Sequence, residues 1–377
     1  MKRSLGSKAT GLRLERMKAS PRWKDGSFHN LAPVLPQLHT GVAMPKLSDF
    51  LCGGGRRMPV APLPTLDPRE AWATTAETGL RATWLGHSTV LVEIDGLRVL
   101  TDPVWGERAS PTTLLGPKRF QPVPIAISKL PRIDVVLVSH DHYDHLDYAT
   151  IRELAHRDVP FVTSLGVGAH FESWGVAVDR ITELDWWESF TLPGERLKVT
   201  ATPSQHFSGR SLGARNGTLW SSFAVHGQKH AFFFSGDTGL TTEYAEIRRR
   251  LAPFDLVMLE VGAFHAAWAT FHLGPENALE AFAWLGGGSF LPVHWGTFNL
   301  AMHAWDEPPE RLVELAPRRG VHLLMPRIGE PIEPARTEGV TPWWREVAAL
   351  ERDCASTPFA DDEATMTVGE AIPWPID

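Results

Sequence analysis

Residues 138–147, VSHDHYDHLD, hold three histidines and three aspartates in ten positions. The stretch closes a short apolar run, IDVVLVS (133–139), whose composition suits a buried β-strand. His140 and His142 are two apart, so in extended backbone they project to the same side. Asp144 and His145 follow as the chain turns, and Asp147 is a plausible N-cap for a helix over YATIRELA. Imidazole nitrogens and carboxylate oxygens are the ligands Zn²⁺ takes. Four of them between 140 and 145 are too many for one catalytic ion that must also keep an open position, so the spacing points to two adjacent ions. A merely solvated loop has no reason to prefer histidine.

Two ions need more ligands, and the rest of the chain offers them where strands run into loops. His206 follows KVTATPSQ, Asp237 follows AFFFSG, and His294 follows SFLPV. Asp237 has two oxygens and could bridge the ions. Around these positions ATWLGHSTVLVEIDGLRVLTDP reads as two or three strands with a DG turn. RLKVTATPSQH, SSFAVHG, KHAFFFSGD, DLVMLEVG and SFLPVHWG read as further strands. EYAEIRRRLAPF reads as an amphipathic helix, and GPENALEAFAWLGGG as a helix opened by Pro275 and closed by glycines. Strands come as meanders first and alternate with helices later, which predicts an α/β chain with two sheets and helices outside them. Residues 1–70 read as an irregular arm with a short helix near KLSDFL, 71–335 as the catalytic domain, and 336–377 as a C-terminal tail.

Bulk properties narrow the class. The 377 residues are 43% apolar and 21% charged, enough for a sizeable core. A net charge of −7 provides no global basic field for nucleic acid. Residues 1–25 carry eight Lys/Arg against two acids, which reads as a solvated tail, with contact to anionic lipid as the alternative. Cys52 and Cys354 make no disulfide framework, so a reducing, cytoplasmic setting is expected. No apolar run is long enough to span a bilayer. The fifteen tryptophans against three tyrosines read as core and loop packing, with a membrane interface as the alternative.

The ordered set His140-x-His142-x-Asp144-His145, His206, Asp237 and His294 resembles the metallo-β-lactamase fold superfamily. Within it, TWLGHSTVLVEIDGLRVLTDPVW, ELDWWE, TPSQHF, FFFSGDTG, HLGPENAL and VHWGTFNLA resemble the N-acyl-phosphatidylethanolamine-hydrolysing phospholipase D group and its bacterial relatives, over roughly residues 80–315. The resemblance implies an αββα four-layer sandwich (α+β by some schemes) with two Zn²⁺ ions at one edge, other divalent metals being an alternative. One ion would take His140, His142 and His206, the other Asp144, His145 and His294, with Asp237 bridging. Histidine at 142, where iron-binding relatives carry glutamate, favours zinc and hydrolysis.

The implied reaction is attack on a phosphodiester by a metal-held hydroxide, which is available at neutral pH because metal binding lowers the pKa of water to about 7. N-acylethanolamine would leave and phosphatidic acid remain. The resemblance gives His272 the task of protonating the leaving group, beside Asp237 in the catalytic set. It gives Tyr143 and Arg210 substrate contacts, Arg210 as a fork on phosphate. Asp102 and Asp185 would orient ligand imidazoles, and His87 would lie just behind the ligands. It also suggests a homodimer; peripheral contact with the inner membrane face is a further expectation, and the negative net charge argues against a nucleic-acid partner. VGAFHAAWATFH (261–272) and the arm depart from the animal enzyme's pattern. A lactonase or a phosphodiesterase on a small soluble substrate is therefore the enzymatic alternative, and a membrane-associated binding protein with structural metals the alternative of another class.

Overall fold

The computed structural model describes residues 3–32, 56–194, 196–211, 214–265 and 271–355. The arm forms a helix, α1 (Gly11–Ala19), and a two-stranded ribbon, β1 (Trp23–Lys24) with β2 (Ser27–Phe28). A short turn of helix, α2 (Arg69–Trp72), precedes the first sheet. That sheet contains β3 (Leu80–Gly86), β4 (Thr89–Ile94), β5 (Leu97–Thr101), β6 (Val135–Val138), β7 (Phe161–Ser164), β8 (Ile181–Leu184) and, from the end of the chain, β16 (Pro331–Ile332). Its spatial order is β16-β3-β4-β5-β6-β7-β8. The second sheet contains β9 (Ser189–Thr191), β10 (Lys198–Thr202), β11 (Ser222–His226), β12 (Ala231–Phe234), β13 (Leu256–Glu260), β14 (Ser289–Val293) and β15 (His322–Leu323) in the order β15-β14-β13-β12-β11-β10-β9.

Both sheets change character along the chain. β3, β4 and β5 pair antiparallel, and β5 through β8 pair parallel. In the second sheet β9 through β12 are antiparallel, and β12 through β15 parallel. Parallel neighbours need crossovers, so helices cover the outer faces. These are α3 (Tyr148–Leu154), α4 (Gly168–Ser173), α5 (Glu243–Leu251), α6 (Gly274–Leu285) and α7 (Glu307–Leu315). The result is an αββα sandwich.

Strand β6 shows why its sequence is apolar without a break. Val135 and Leu137 enter the core shared by the two sheets, while Val136 and Val138 point the other way, into a cluster with Ile151 and Leu154 of α3 and Phe171 of α4. A strand buried on both faces loses the period-two alternation. Asp147 caps α3, accepting from the backbone N–H of Ala149 and Thr150. Gly286 closes α6 in the left-handed region at φ 100°.

Two boundaries differ from the sequence reading. The arm is not irregular throughout, nor a solvated tail. Met17 and Phe28 are buried with Leu165, Trp186, Leu219 and Trp220, Arg13 pairs with Glu172 and Glu183, and Arg16 pairs with Glu188. Two of its basic side chains, Arg13 and Arg16, are spent on acids of the main domain, and Lys18 pairs with Glu15 inside the arm. KLSDFL lies outside the described residues. The tail after 335 is likewise not detached. It forms α8 (Trp344–Ala355), and Trp343 and Trp344 are buried, Trp343 stacking at 5.7 Å on Trp295, the residue after His294. Large aromatic area drives that docking, although the flanking residues are polar.

Candidate metal centre

The side chains singled out by spacing converge at one edge of the sandwich. β6 delivers Ser139, His140, His142, Asp144 and His145. The second sheet delivers His206 after β10, Asp237 after β12 and His294 after β14. Glycine permits the close approach of these loops. A Cβ on Gly236 would lie 2.6 Å from Ser139 Cβ, and one on Gly262 would lie 1.9 Å from the His294 carbonyl oxygen. His87, Asp102 and His294 adopt φ of 53°, 32° and 65°. Such strain in non-glycine residues persists where the surroundings over-determine it, commonly at functional sites.

Two ligand sets form. In the first, His140 Nε2 lies 2.9 Å from His142 Nδ1, which lies 3.3 Å from His206 Nε2. In the second, Asp144 Oδ2 lies 3.2 Å from His294 Nε2 and 3.4 Å from His145 Nε2. Asp237 Oδ2 stands between the sets, 3.1 Å from both His145 Nε2 and His294 Nε2, 3.8 Å from His206 Nε2 and 3.9 Å from His140 Nε2. All seven side chains are buried.

Hydrogen bonds behind the ligands fix which nitrogens hold lone pairs. Asp102 accepts from the Ser139 hydroxyl at 2.6 Å and from the Ser139 backbone N–H at 2.7 Å. That hydroxyl has one proton, so toward His140 Nδ1, 2.9 Å away, it can only accept. His140 is therefore protonated at Nδ1 and unprotonated at Nε2. His206 Nδ1 donates to the Phe271 carbonyl at 3.0 Å, leaving its Nε2 free. His145 Nδ1 donates to Asp102 Oδ2 at 2.7 Å, which likewise turns Nε2 inward. Lone pairs of His140 and His206 thus face His142 Nδ1, which can either donate to them or, as the tautomer with a bare Nδ1, complete a set of three nitrogens for a cation.

The electrostatics agree. Burial, reinforced by neighbouring histidines, holds His140 well below the ordinary histidine range; burial does the same for His206 and takes His142 down to about 4. All three are neutral, as ligands must be. In the other set burial opposes ionisation, but the paired charges win. Asp144 and Asp237 are held well below the usual carboxylate range by His145 and His294, and His294 is pushed up to about 10 by Asp237 and Asp144. Two buried carboxylates draw positive charge into this half of the site. The residues fit metal ions in both halves: ligand atoms of His140, His142, His206 and Asp237 gather in one, and those of His87, Asp144, His145 and His294 in the other, with Asp237 Oδ2 3.1 Å from both His145 and His294.

The remaining sequence-predicted residues separate. Asp102 sits against His145 as described. His87 Nε2 is 3.0 Å from Asp144 Oδ2 and its ring is 4.0 Å from that of His294, so it braces a carboxylate as well as an imidazole. His272 is buried, and one of its polar atoms lies within 4.8 Å of ligand atoms of Asp237 and His294. Three assignments need correction. Arg210 is no phosphate fork: it is buried, its guanidinium donates to the carbonyls of Asp141, Leu146 and Ser4, and it lies 4.1 Å over the Tyr143 ring. Tyr143 donates its hydroxyl to the Arg210 carbonyl at 2.5 Å, so its polar tip serves the fold. Asp185 orients no imidazole: its carboxylate accepts from the Trp186 backbone N–H.

Sequence reasoning missed three groups. Ser139 relays Asp102 to His140. Asn30, in the arm, brackets a ligand: its Nδ2 donates to the His206 carbonyl at 2.8 Å and its Oδ1 accepts from the His206 N–H at 3.1 Å. Glu260, fully buried at the end of β13, has Oε1 3.4 Å from His272 Nδ1 and accepts from the Leu273 N–H. Burial raises Glu260, and His272 is raised against its own burial by Glu260. An acid ending an apolar strand was the available signal for Glu260; nothing near Asn30 marks it.

Beside His294 opens a small cleft lined by Phe120, Trp295, Phe298, Leu300 and Trp305 together with the polar Arg57, Asn299 and His303.

Residues 97–295 match the β-lactamase superfamily domain. An uncharacterized protein of Mycobacterium tuberculosis is 42% identical over 347 residues, 91% of this chain and 92% of that one. The N-acyl-phosphatidylethanolamine-hydrolyzing phospholipase D 1 of Caenorhabditis elegans is 38% identical over 255 residues, 65% of this chain and 72% of that one. Among solved structures, a metallo hydrolase of the archaeon Ignicoccus hospitalis superposes with TM-score 0.53 at 22% identity, over 67% of this chain and 97% of that chain, a likeness of fold. The chain belongs to the β-lactamase superfamily and is a metal-dependent hydrolase on the metallo-β-lactamase fold.

Proposed function

We propose that the chain is a di-zinc phosphodiesterase that cleaves N-acyl-phosphatidylethanolamine-like lipids to phosphatidic acid and N-acylethanolamine. The observation that carries the reading is the shared oxygen of Asp237, within 3.1–3.9 Å of ligand nitrogens from both sets. Two ions held there would supply a nucleophilic water at neutral pH and Lewis acidity toward a phosphoryl oxygen. Asp102, directly at His145 and through Ser139 at His140, aims the Nε2 atoms of one imidazole in each half inward. His272 protonates the leaving alkoxide, with the Glu260 carboxylate 3.4 Å from its Nδ1 favouring the charged imidazole. The cleft beside His294 offers aromatic and aliphatic side chains for an apolar portion of a ligand, beside the polar Arg57, Asn299 and His303, in keeping with the lipid named for the worm relative.

The test is product analysis with zinc-loaded protein on N-acyl-phosphatidylethanolamine dispersed in mixed micelles. Release of N-acylethanolamine and phosphatidic acid, abolished in Asp237→Asn together with at least one metal equivalent, is the expected result. Failure to release them, with ring opening across a lactone panel instead, would overturn the substrate. An Asp237→Asn protein with full turnover would overturn the two-ion site.

A further inference from the structure

The loop between β5 and β6 carries a feature that the metal site does not use. Leu114 and Leu115 are 82% and 73% exposed, and among the described residues they are the large exposed hydrophobics adjacent in sequence. The tip is braced. Thr112 Oγ1 accepts from the Leu115 N–H at 3.0 Å and donates to its carbonyl at 3.2 Å. Arg108 donates to the Gly116 carbonyl at 2.7 Å, Ala109 N–H to the Pro117 carbonyl at 3.0 Å, and Arg108 and Lys118 form an antiparallel bridge. The Ser4 hydroxyl in the arm donates to the Pro111 carbonyl. Bonding around the tip thus presents two leucines to solvent, where exposed apolar area is unfavourable unless something covers it.

What covers them is indicated by the loop's base and its charge. Ala109 packs with Val104 and Phe298, and Phe120 donates its N–H to the Thr297 carbonyl at 2.8 Å. Phe120 and Phe298 both line the cleft beside His294. The loop therefore springs from the wall of the candidate site. From 107 to 134 the chain has Arg108, Lys118, Arg119, Lys129 and Arg132 against Glu107 and Asp134, a local excess of positive charge in a protein of net charge −7. Arg119 is internal, Lys118 is paired with Glu107 at 2.9 Å and Arg132 with Asp134 at 3.2 Å, so Arg108 and Lys129 are the basic side chains outside these pairs. Apolar tip, cationic base and connection to the cleft match one kind of surface: a bilayer containing anionic phospholipid, into which leucines insert while basic side chains meet the headgroups.

We propose that this loop docks the enzyme on an anionic phospholipid bilayer through Leu114 and Leu115 and so sets the mouth of the cleft against its substrate. The proposal rests on the substrate being a membrane lipid.

The experiment is sedimentation of the full-length, zinc-loaded protein with vesicles of phosphatidylcholine alone and of phosphatidylcholine with phosphatidylglycerol. The expected result is stronger partition onto the anionic vesicles, and a loss of about ten-fold or more in L114S/L115S. Metal content and melting temperature of that variant should stay at wild-type values. Undiminished partition of L114S/L115S, or a wild-type protein that stays in the supernatant with both vesicles, overturns the proposal. So does a concentration-dependent dimer abolished by L114S/L115S without vesicle binding, since the leucines would then face a second copy of the chain. Leucine-dependent vesicle binding by a protein that releases no N-acylethanolamine would keep the docking surface and remove the phosphodiesterase reading.

Discussion

At the residue scale, the convergence of the seven candidate ligands was legible because metal chemistry needs unusual residue types at strand ends. The groups that aim those ligands were legible only in part. Asp102 lies in a stretch that resembles the family, whereas Ser139 is an ordinary serine until its single proton is counted. Asn30 is 176 positions from His206, and a contact of that separation leaves no local pattern. Its value can be measured. In Asn30→Ala the buried His206 N–H and carbonyl lose their partners, which should cost about 1–3 kcal/mol in urea unfolding. Loosening of His206 should weaken metal binding about 10–100-fold by competition with a chelator. Asn30→Asp, which keeps the acceptor and loses the donor, should fall between; wild-type affinity in both variants would mean that Asn30 does not position the ligand. His272→Ala is expected to keep both metal equivalents and to lose about 10²–10⁴-fold in turnover of a substrate with an alkoxide leaving group. Equal slowing with an aryl leaving group, which needs no acid, would remove the protonation role.

At the scale of elements, β-strands and the α3 cap could be read because apolar runs and Asp147 are local signals. The arm and tail could not, because their stability comes from partners distant in sequence. Helix α1 buries little beyond Met17 and is held by Arg13 and Arg16; its basic residues look like a solvated tail until Glu172, Glu183 and Glu188 are found beside them. The tail's Trp343 gives its indole N–H to the Met325 carbonyl and its ring to Trp295, which in turn stacks at 5.0 Å on Trp84. This aromatic column stands directly behind His294. Trp343→Ala should destabilise the protein by about 3–5 kcal/mol in denaturant unfolding. It should also lower occupancy of the half-site containing His294 more than that of the half-site containing His206. Equal occupancy of both halves in a folded Trp343→Ala protein would show that the column supports the sheet without supporting the ligand.

At the scale of the molecule, the candidate ligands divide between the sheets. His140, His142, Asp144 and His145 follow the first sheet's β6, whereas His206, Asp237 and His294 follow strands of the second. Ions bound at both halves would therefore tie one sheet to the other at the open edge, in addition to the apolar core between them. Binding that favours the folded over the unfolded chain adds stability as the ratio of free ligand to dissociation constant grows, about 2.7 kcal/mol at a hundred-fold excess. The chelated protein should remain folded, because the core cluster shared by the sheets does not involve the ligands. Its melting temperature should nevertheless fall by several degrees and be restored by adding zinc back. Asp237→Asn removes the oxygen common to both halves, so its melting temperature should respond to zinc less than the wild type's. Calorimetry on the chelated and reloaded forms of both proteins decides this: a melting temperature indifferent to chelation in the wild type would mean that the ions do not join the sheets.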